Sequence, residues 1–225
     1  MILPLALFSL LAIDPATGSE IAPLRVEEQV VSAQSGPMRE GSVTVQVRPL
    51  SWEGSAIVYA GGREISIRVR TRISRSGDVI SESWPIDQGE DAVRRMIIDD
   101  SGGWMERGGK REPMPEAMLR HERQQFGFYN QLQPAIVFAR MIGSGETTIG
   151  GDVSTSFRIK EGFPIEARNQ VSSPEPGGKP IDQTFLLTDY KTEDGFSWPR
   201  RIEIHHDGKP YFSLSIDKFE AGAVP

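Results

Sequence analysis

The C-terminal stretch from Ile181 to Glu220 constrains the fold most, because apolar and polar side chains alternate there between two Asp-Gly turns. The turns are Glu193-Asp194-Gly195 and His206-Asp207-Gly208-Lys209. An Asp-Gly pair tolerates the positive φ angles that a tight hairpin requires. Successive side chains of a strand point to opposite faces, so the stretch predicts three antiparallel strands with one buried face. The predicted core face carries Phe196, Trp198, Ile202, Ile204, Phe212, Leu214 and Ile216. The predicted outer face carries Ser197, Arg201, Glu203, His205, Tyr211, Ser213, Ser215 and Asp217.

A meander of three strands with one apolar face is not stable alone, so other elements must cover that face. Alternating patterns predict earlier strands over residues 43–47, 52–59, 64–73, 79–84 and 93–98, and later strands over 153–159 and 165–171. Between these groups we predict a helix from Glu116 to about Asn130 and a second, shorter helix from Pro134 to Ile142. Strands, then helices, then strands favour a mainly β (α+β) fold with one antiparallel sheet and one or two helices on a face.

The N-terminus has the pattern of an export signal. Met1 to Ile13 is apolar apart from Ser9, is too short to cross a bilayer, and is followed by Asp14-Pro15-Ala16-Thr17-Gly18. No lysine or arginine precedes Arg25. We expect a signal peptide over residues 1–18 and a single domain over 19–225. The alternatives are a buried N-terminal strand and a misassigned start codon.

Composition excludes several kinds of chemistry. The chain has no cysteine, so disulfides, thiolate metal sites and thiol nucleophiles are excluded. The same absence excludes a lipid-modified N-terminal cysteine. Its net charge of −6 argues against general nucleic-acid binding, which needs a basic surface. We therefore expect no nucleic-acid partner.

Three short motifs resemble catalytic or metal sites but lack a required feature. His121-Glu122 begins like a zinc-protease helix, yet Gln125 occupies the second ligand position. His205 and His206 are neighbours on a predicted strand, so their side chains point to opposite faces and cannot chelate one ion. Ser144 follows a predicted helix, whereas a nucleophile elbow follows a strand. We expect no enzyme activity, no metal and no cofactor.

The predicted helical region is unusually rich in methionine and aromatic side chains, which repack easily around a flexible ligand. This region and the sheet can enclose an acyl chain between them, or they can form an ordinary core. Gly127 weakens the first helix, as a movable lid over the sheet would require. Alternatively, Gly127 permits close packing against a neighbour. The residues concerned are Met114, Met118, Phe126, Phe128, Tyr129, Phe138 and Met141.

Three segments resemble the LolA-like superfamily of periplasmic lipoprotein carriers and lipoprotein-sorting proteins. The first is Arg94 to Gln125, with Asp100-Ser101-Gly102-Gly103-Trp104 and then Pro113-Met114-Pro115 opening a helix. The others are Phe157 to Ile165 and Asp189 to Arg201. The resemblance implies an incomplete barrel, in which a strongly curved sheet wraps around the helices and its hollow face receives lipid. The missing cysteine places the chain with the soluble branch rather than the membrane-anchored one.

The resemblance implies an exported periplasmic protein, peripheral to the membrane at most, that binds a lipid, lipoprotein or other amphipathic ligand in the hollow. The alternative is an envelope accessory or sensor module that acts by protein contact, the hollow being only core. A hydrolase is a third, more distant class. The candidate ligand-binding residues of the hollow and lid are Met114, Met118, Phe126, Tyr129, Phe138, Trp104 and Trp198.

Overall fold

The computed structural model describes residues 30–31 and 43–222. The predicted signal peptide lies outside these residues. The described elements are β1 (Val30–Val31), β2 (Val43–Thr44), β3 (Leu50–Ala60), β4 (Arg63–Ile73), β5 (Val79–Pro85), β6 (Arg94–Asp99), β7 (Gly102–Arg107), β8 (Lys110–Pro113), α1 (Glu116–Ile142), β9 (Gly145–Ile149), β10 (Thr155–Lys160), β11 (Phe163–Val171), β12 (Ile181–Glu193), β13 (Phe196–His206) and β14 (Lys209–Ala221), with a short 3-10 turn at Glu90–Ala92 before β6. Strands β1 and β2 pair with each other.

The other strands form one antiparallel sheet of twelve strands in the order β8-β7-β6-β5-β4-β3-β14-β13-β12-β11-β10-β9. From β3 to β8, and again from β9 to β14, each strand pairs with the strand that follows it in the chain. Antiparallel neighbours can be joined in this way by short turns. Only the pairing of β14 with β3 joins residues distant in sequence. The predicted fold class, a mainly β fold with one antiparallel sheet that does not close into a barrel, is confirmed.

Helix α1 connects the two outer strands of the sheet, β8 and β9. At 1.5 Å per residue, its 27 residues span about 40 Å, enough to cross the sheet's face. Its contacts with the sheet are concentrated on β9, β10 and β11. The backbone of α1 therefore approaches one half of the sheet closely, while long side chains make its contacts with the other half, as where Tyr129 meets Trp52 and Arg123 donates a hydrogen bond to the Asp99 carbonyl.

The structure has a single helix where the sequence predicted two. Pro134 lies inside α1, although proline removes a backbone hydrogen bond from a helix interior. Leu132, Ala135 and Ile136 are buried on both sides of the proline. Gln133 also accepts a hydrogen bond from the Arg48 backbone N–H and donates one to the Arg48 carbonyl, both at 2.9 Å. This packing keeps the helix continuous through Pro134.

The C-terminal meander has the predicted register at its centre. Ile202, Ile204, Leu214 and Ile216 are buried, and Ile204 pairs with Phe212 across β13 and β14. Ser197 and Tyr211 depart from the prediction. Ser197 was expected on the outer face, but it is buried and accepts a hydrogen bond from Arg140 of α1. The next pair is His205 with Pro210, so Tyr211 is an extra residue without a cross-strand partner. This irregularity turns Tyr211 towards the interior, whereas strict alternation placed it on the outer face.

No helix in the described part of the chain is long and apolar enough to cross a bilayer.

Candidate ligand-binding site

A cavity of about 110 Å³ lies between the first half of α1 and the concave face of the sheet, and it is partly open to solvent. Its sheet side extends from β7 across to β13, because α1 packs on the far strands β9–β11 instead. Most of its lining is apolar. The largest lining side chains are Trp52, Met96, Met105, Phe126, Tyr129 and Phe212.

Side chains alternate between the two faces of β6 and β7, and this alternation places a methionine of each strand in the cavity lining. Met96 and Met105 are cross-strand partners, and both line the cavity. Arg94 has the same parity as Met96 and also lines the cavity, while its partner is Arg107. Burial lowers the pKa of Arg94, and the charge of Arg107 lowers it further. An apolar lining with a cationic group is a suitable environment for an amphipathic molecule.

A second, smaller cavity of about 40 Å³ adjoins the first on the side of β14. Its lining includes Met118, His121 and His206. Glu122 and Tyr211 line both cavities and therefore stand at the boundary between them. Polar side chains thus lie at this end of the hollow, in addition to Thr71, Ser81, Ser83 and Arg94 on β4, β5 and β6.

Glu122 is the least expected of these side chains. It is 2% exposed, and its Oε1 atom has no hydrogen-bond partner within the described residues. Burial raises the pKa of its carboxyl group from 4.5 to about 8. The group is therefore protonated at neutral pH, since an unpaired charge in such an environment is unfavourable.

The two ring nitrogens of His121 have protein partners. Nδ1 lies 2.6 Å from the Ser172 carbonyl oxygen and Nε2 lies 2.7 Å from Gln125 Nε2. A neutral ring satisfies both contacts when Nδ1–H donates to Ser172 and Nε2 accepts from the Gln125 amide. Burial lowers the pKa of His121, which favours this neutral form. His121 is held in place and has no ring nitrogen left for proton transfer.

The predicted ligand-binding residues fall in three places. Phe126 and Tyr129 line the larger cavity, and Met118 lines the smaller one. Met114 and Trp198 are buried in the core, where Met114 packs beside Gly103 and Trp198 stacks on Phe196 and Phe219. Phe138 is half-buried on α1, outside both cavity linings. Trp104 has the opposite parity to Met105 on β7, and the Arg111 guanidinium lies 4.5 Å from its ring.

Sequence reasoning missed Glu122, although its position carried a signal. Met118, Glu122, Gln125 and Tyr129 are spaced by four, three and four residues, which places them on one face of a helix. A carboxylic acid within an apolar helical face is rarely buried without a partner. The presence of Glu122 on the face of α1 that was predicted to be buried was therefore a signal of a functional residue. Met96 and Met105 were missed because they lie on strands rather than on the methionine-rich helix.

Within residues 43–222 there is no group of three or more histidine, aspartate or glutamate side chains arranged to hold a metal ion.

No family model matches the chain, and no curated protein sequence matches it. Among solved structures, the chain is similar to a LolA superfamily protein from Nitrosomonas europaea, with 11% identity and a TM-score of 0.48 over 80% of this chain and 88% of that one. It is also similar to a domain described as an outer membrane lipoprotein-sorting protein from Vibrio parahaemolyticus, with 6% identity and a TM-score of 0.42 over 79% and 86%. A DUF1329 family protein from Desulfovibrio piger gives 8% identity and a TM-score of 0.46 over 79% and 86%. The LolA superfamily, which the sequence motifs resemble, is thus represented among the solved structures similar to this chain.

Proposed function

We propose that this chain is an exported periplasmic protein that binds the acyl part of a lipid, lipoprotein or other amphipathic ligand between α1 and the sheet. The observation that carries the proposal is the partly open cavity lined by aromatic and methionine side chains. A well-packed core leaves few voids larger than a water molecule, so a partly open cavity of about 110 Å³ in this position supports a binding role.

The lining suits a flexible chain better than a rigid ligand. Met96, Met105 and Phe126 are only partly buried, and they pack against the edge of the fully buried core. Methionine has three rotatable bonds and a polarisable sulfur, so it adapts to irregular apolar shapes. The proposed ligand enters from the open side and replaces solvent next to these side chains.

The proposal assigns binding, rather than catalysis, to this site, and it requires no cofactor. The ring nitrogens of His121 are occupied by Ser172 and Gln125, and His206 Nε2 lies 2.8 Å from Gln183 Nε2. A general base must reach a substrate proton within hydrogen-bond distance. These imidazoles are engaged in contacts that position α1 and the strands instead.

Titration with a fluorescent fatty-acid probe tests the proposal with two matched variants. Met96→Trp fills the cavity, whereas Met141→Trp adds the same side chain at a position that is 62% exposed. We expect saturable binding by the wild type, at least a tenfold weaker affinity for Met96→Trp, and an unchanged affinity for Met141→Trp. Absence of saturable binding, or equal effects of both replacements, would overturn the proposal and favour a protein-contact module with a filled hollow.

Export is proposed from the apolar segment Met1 to Ile13 and the small residues that follow it. The mass of the intact protein recovered from the periplasm tests it. We expect a mature chain that lacks residues 1–18. A chain that retains Met1, or recovery only from the cytoplasm, would contradict both the signal peptide and the location.

A further inference from the structure

Glu122 presents an acceptor that the protein leaves without a partner. Its side chain is almost fully buried at the boundary between the two cavities, and Oε1 has no hydrogen-bond partner within the described residues. A buried polar atom without a partner destabilises the folded state, so native structures rarely retain one without a reason. Glu122 lines both cavities, so its carboxyl group lies next to space in which a bound molecule fits.

The neighbouring side chains do not provide the missing donor. Gln125 Nε2 is directed to His121, and His121 Nδ1 to the Ser172 carbonyl. His206 is paired with Gln183 and stacks on the ring of Tyr211. These contacts hold the polar wall in place around Glu122. The Tyr211 hydroxyl, which lines both cavities with Glu122, is also not bonded to Oε1. A molecule bound in the cavities can therefore supply the donor that this carboxyl group lacks.

We infer that Glu122 receives an O–H or N–H group of the bound amphipathic molecule, whose apolar chain lies against Met96, Met105 and Phe126. A carboxyl group keeps an accepting oxygen in both its protonated and its ionised form, so a ligand donor is matched in either state. An ether or a quaternary ammonium has no donor, so it leaves the accepting oxygen of this carboxyl group unsatisfied, although an ether oxygen can accept from the protonated form. This inference rests on the proposed lipid-binding function and specifies the chemistry of the ligand's polar end.

The cavity also fixes where that polar end is bound. Tyr211 lies on β14 and Arg94 on β6, with β3, β4 and β5 between them. Four strand spacings correspond to roughly 19 Å along the sheet. Glu122 lines both cavities together with Tyr211, so it lies at the Tyr211 end of the hollow, and we expect the polar end of the ligand to bind there rather than beside Arg94 on β6.

Competition against a fluorescent fatty-acid probe tests this inference with pairs of ligands that differ only in the donor. Decan-1-ol is compared with 1-methoxydecane, and decylamine with trimethyldecylammonium, all below their aggregation concentrations. We expect the donor-bearing member of at least one pair to bind about tenfold more tightly. A preference in the first pair identifies a hydroxyl donor, and a preference in the second identifies an ammonium donor.

Variants then assign the preference to Glu122. Glu122→Leu removes the acceptor, whereas Glu122→Gln retains an accepting oxygen but cannot ionise when a cationic ligand binds. The matched control is Glu64→Leu, at an exposed position on β4. We expect the preference to disappear in Glu122→Leu, while 1-methoxydecane still displaces the probe. Glu122→Gln should keep the preference for decanol and lose that for decylamine.

The outcomes separate this inference from the proposed function. No probe binding by the wild type would overturn the lipid-binding function itself. Probe binding with equal affinities within both pairs, or a preference that persists in Glu122→Leu, would overturn only the role of Glu122. A preference lost equally in Glu64→Leu would also overturn it.

Discussion

The imidazole ring of His206 stacks on the phenol ring of Tyr211, with ring centroids 3.7 Å apart and planes 13° apart. The two residues lie on adjacent strands next to the irregularity that leaves Tyr211 without a cross-strand partner. Burial lowers the pKa of His206 to about 4, with a smaller lowering by His121 and an opposing effect of Asp207. Burial raises the pKa of the Tyr211 phenol, and Glu122 raises it further. Both rings are therefore neutral at physiological pH.

Acid should destabilise the fold through His206. Its pKa falls from 6.5 in the unfolded chain to about 4 in the folded one, so the unfolded state binds more protons between these values. Stability is therefore lost as pH falls from about 6.5 to 4, by up to about 3 kcal/mol. Urea denaturation of the wild type and of His206→Phe, which keeps a flat ring but cannot titrate, measures this. Identical losses of stability in both proteins on acidification would contradict the assignment.

The register of β13 predicts opposite effects at adjacent positions. Ile204 is 5% exposed, whereas Glu203 lies on the other face. Ile204→Ala should lower the free energy of unfolding by about 2–4 kcal/mol, because it removes buried carbon atoms and leaves a cavity. Glu203→Ala should change it by no more than about 0.5 kcal/mol. Chemical denaturation measures both, and equal losses would indicate a register shifted by one residue.

The sequence predicted the parts of the fold that depend on local pattern. The alternation in β4, β13 and β14 was clear, because each strand has one buried face. Strand β9 (Gly145–Ile149) was missed because its glycine and threonines give a weak apolar pattern. The β7–β8 hairpin was missed for a similar reason, since every residue of β8 is exposed. The single helix through Pro134 depends on Gln133 binding the distant Arg48 backbone, which no local pattern contains.

The candidate site was harder to predict than the fold. Phe126 and Tyr129 of α1 line the larger cavity, and the aromatic content of the helix had predicted both of them. Which strands line the cavity depends on which half of the sheet α1 covers. That position is set by the long-range packing of α1 on β9–β11, which the sequence pattern does not show. Tyr211 reaches the site only because an extra residue interrupts the alternation of β14. A strict period of two cannot reveal such a residue.

Glu122 should produce a pH dependence of the opposite sign to that of His206. Its pKa rises from 4.5 in the unfolded chain to about 8 in the folded one, so the folded state binds more protons between these values. The contribution of Glu122 to stability therefore decreases as pH rises from about 4.5 to 8. Since glutamine does not titrate, the stability of Glu122→Gln relative to the wild type should increase over that range. Thermal denaturation at several pH values measures the difference, and a constant difference would contradict the raised pKa.

Gly127 provides a test of whether the first half of α1 acts as a movable lid. A Cβ atom at this position would have no atom within 4 Å, so close packing against a neighbour does not explain the glycine. Gly127→Ala should therefore raise the free energy of unfolding by about 0.5–1 kcal/mol, because alanine restricts the unfolded chain and favours the helix.

The same variant should slow the release of a bound fatty-acid probe, because a stiffer helix opens less often over the cavity that Phe126 lines. Stopped-flow dilution measures the dissociation rate, and urea denaturation measures the stability. Gly54→Ala is the control for a glycine that packing does require, since its Cβ would lie 2.2 Å from the Ser215 carbonyl oxygen. That variant should lose stability. A stabilised Gly127→Ala with an unchanged dissociation rate would show that the cavity exchanges its ligand without movement of this part of α1.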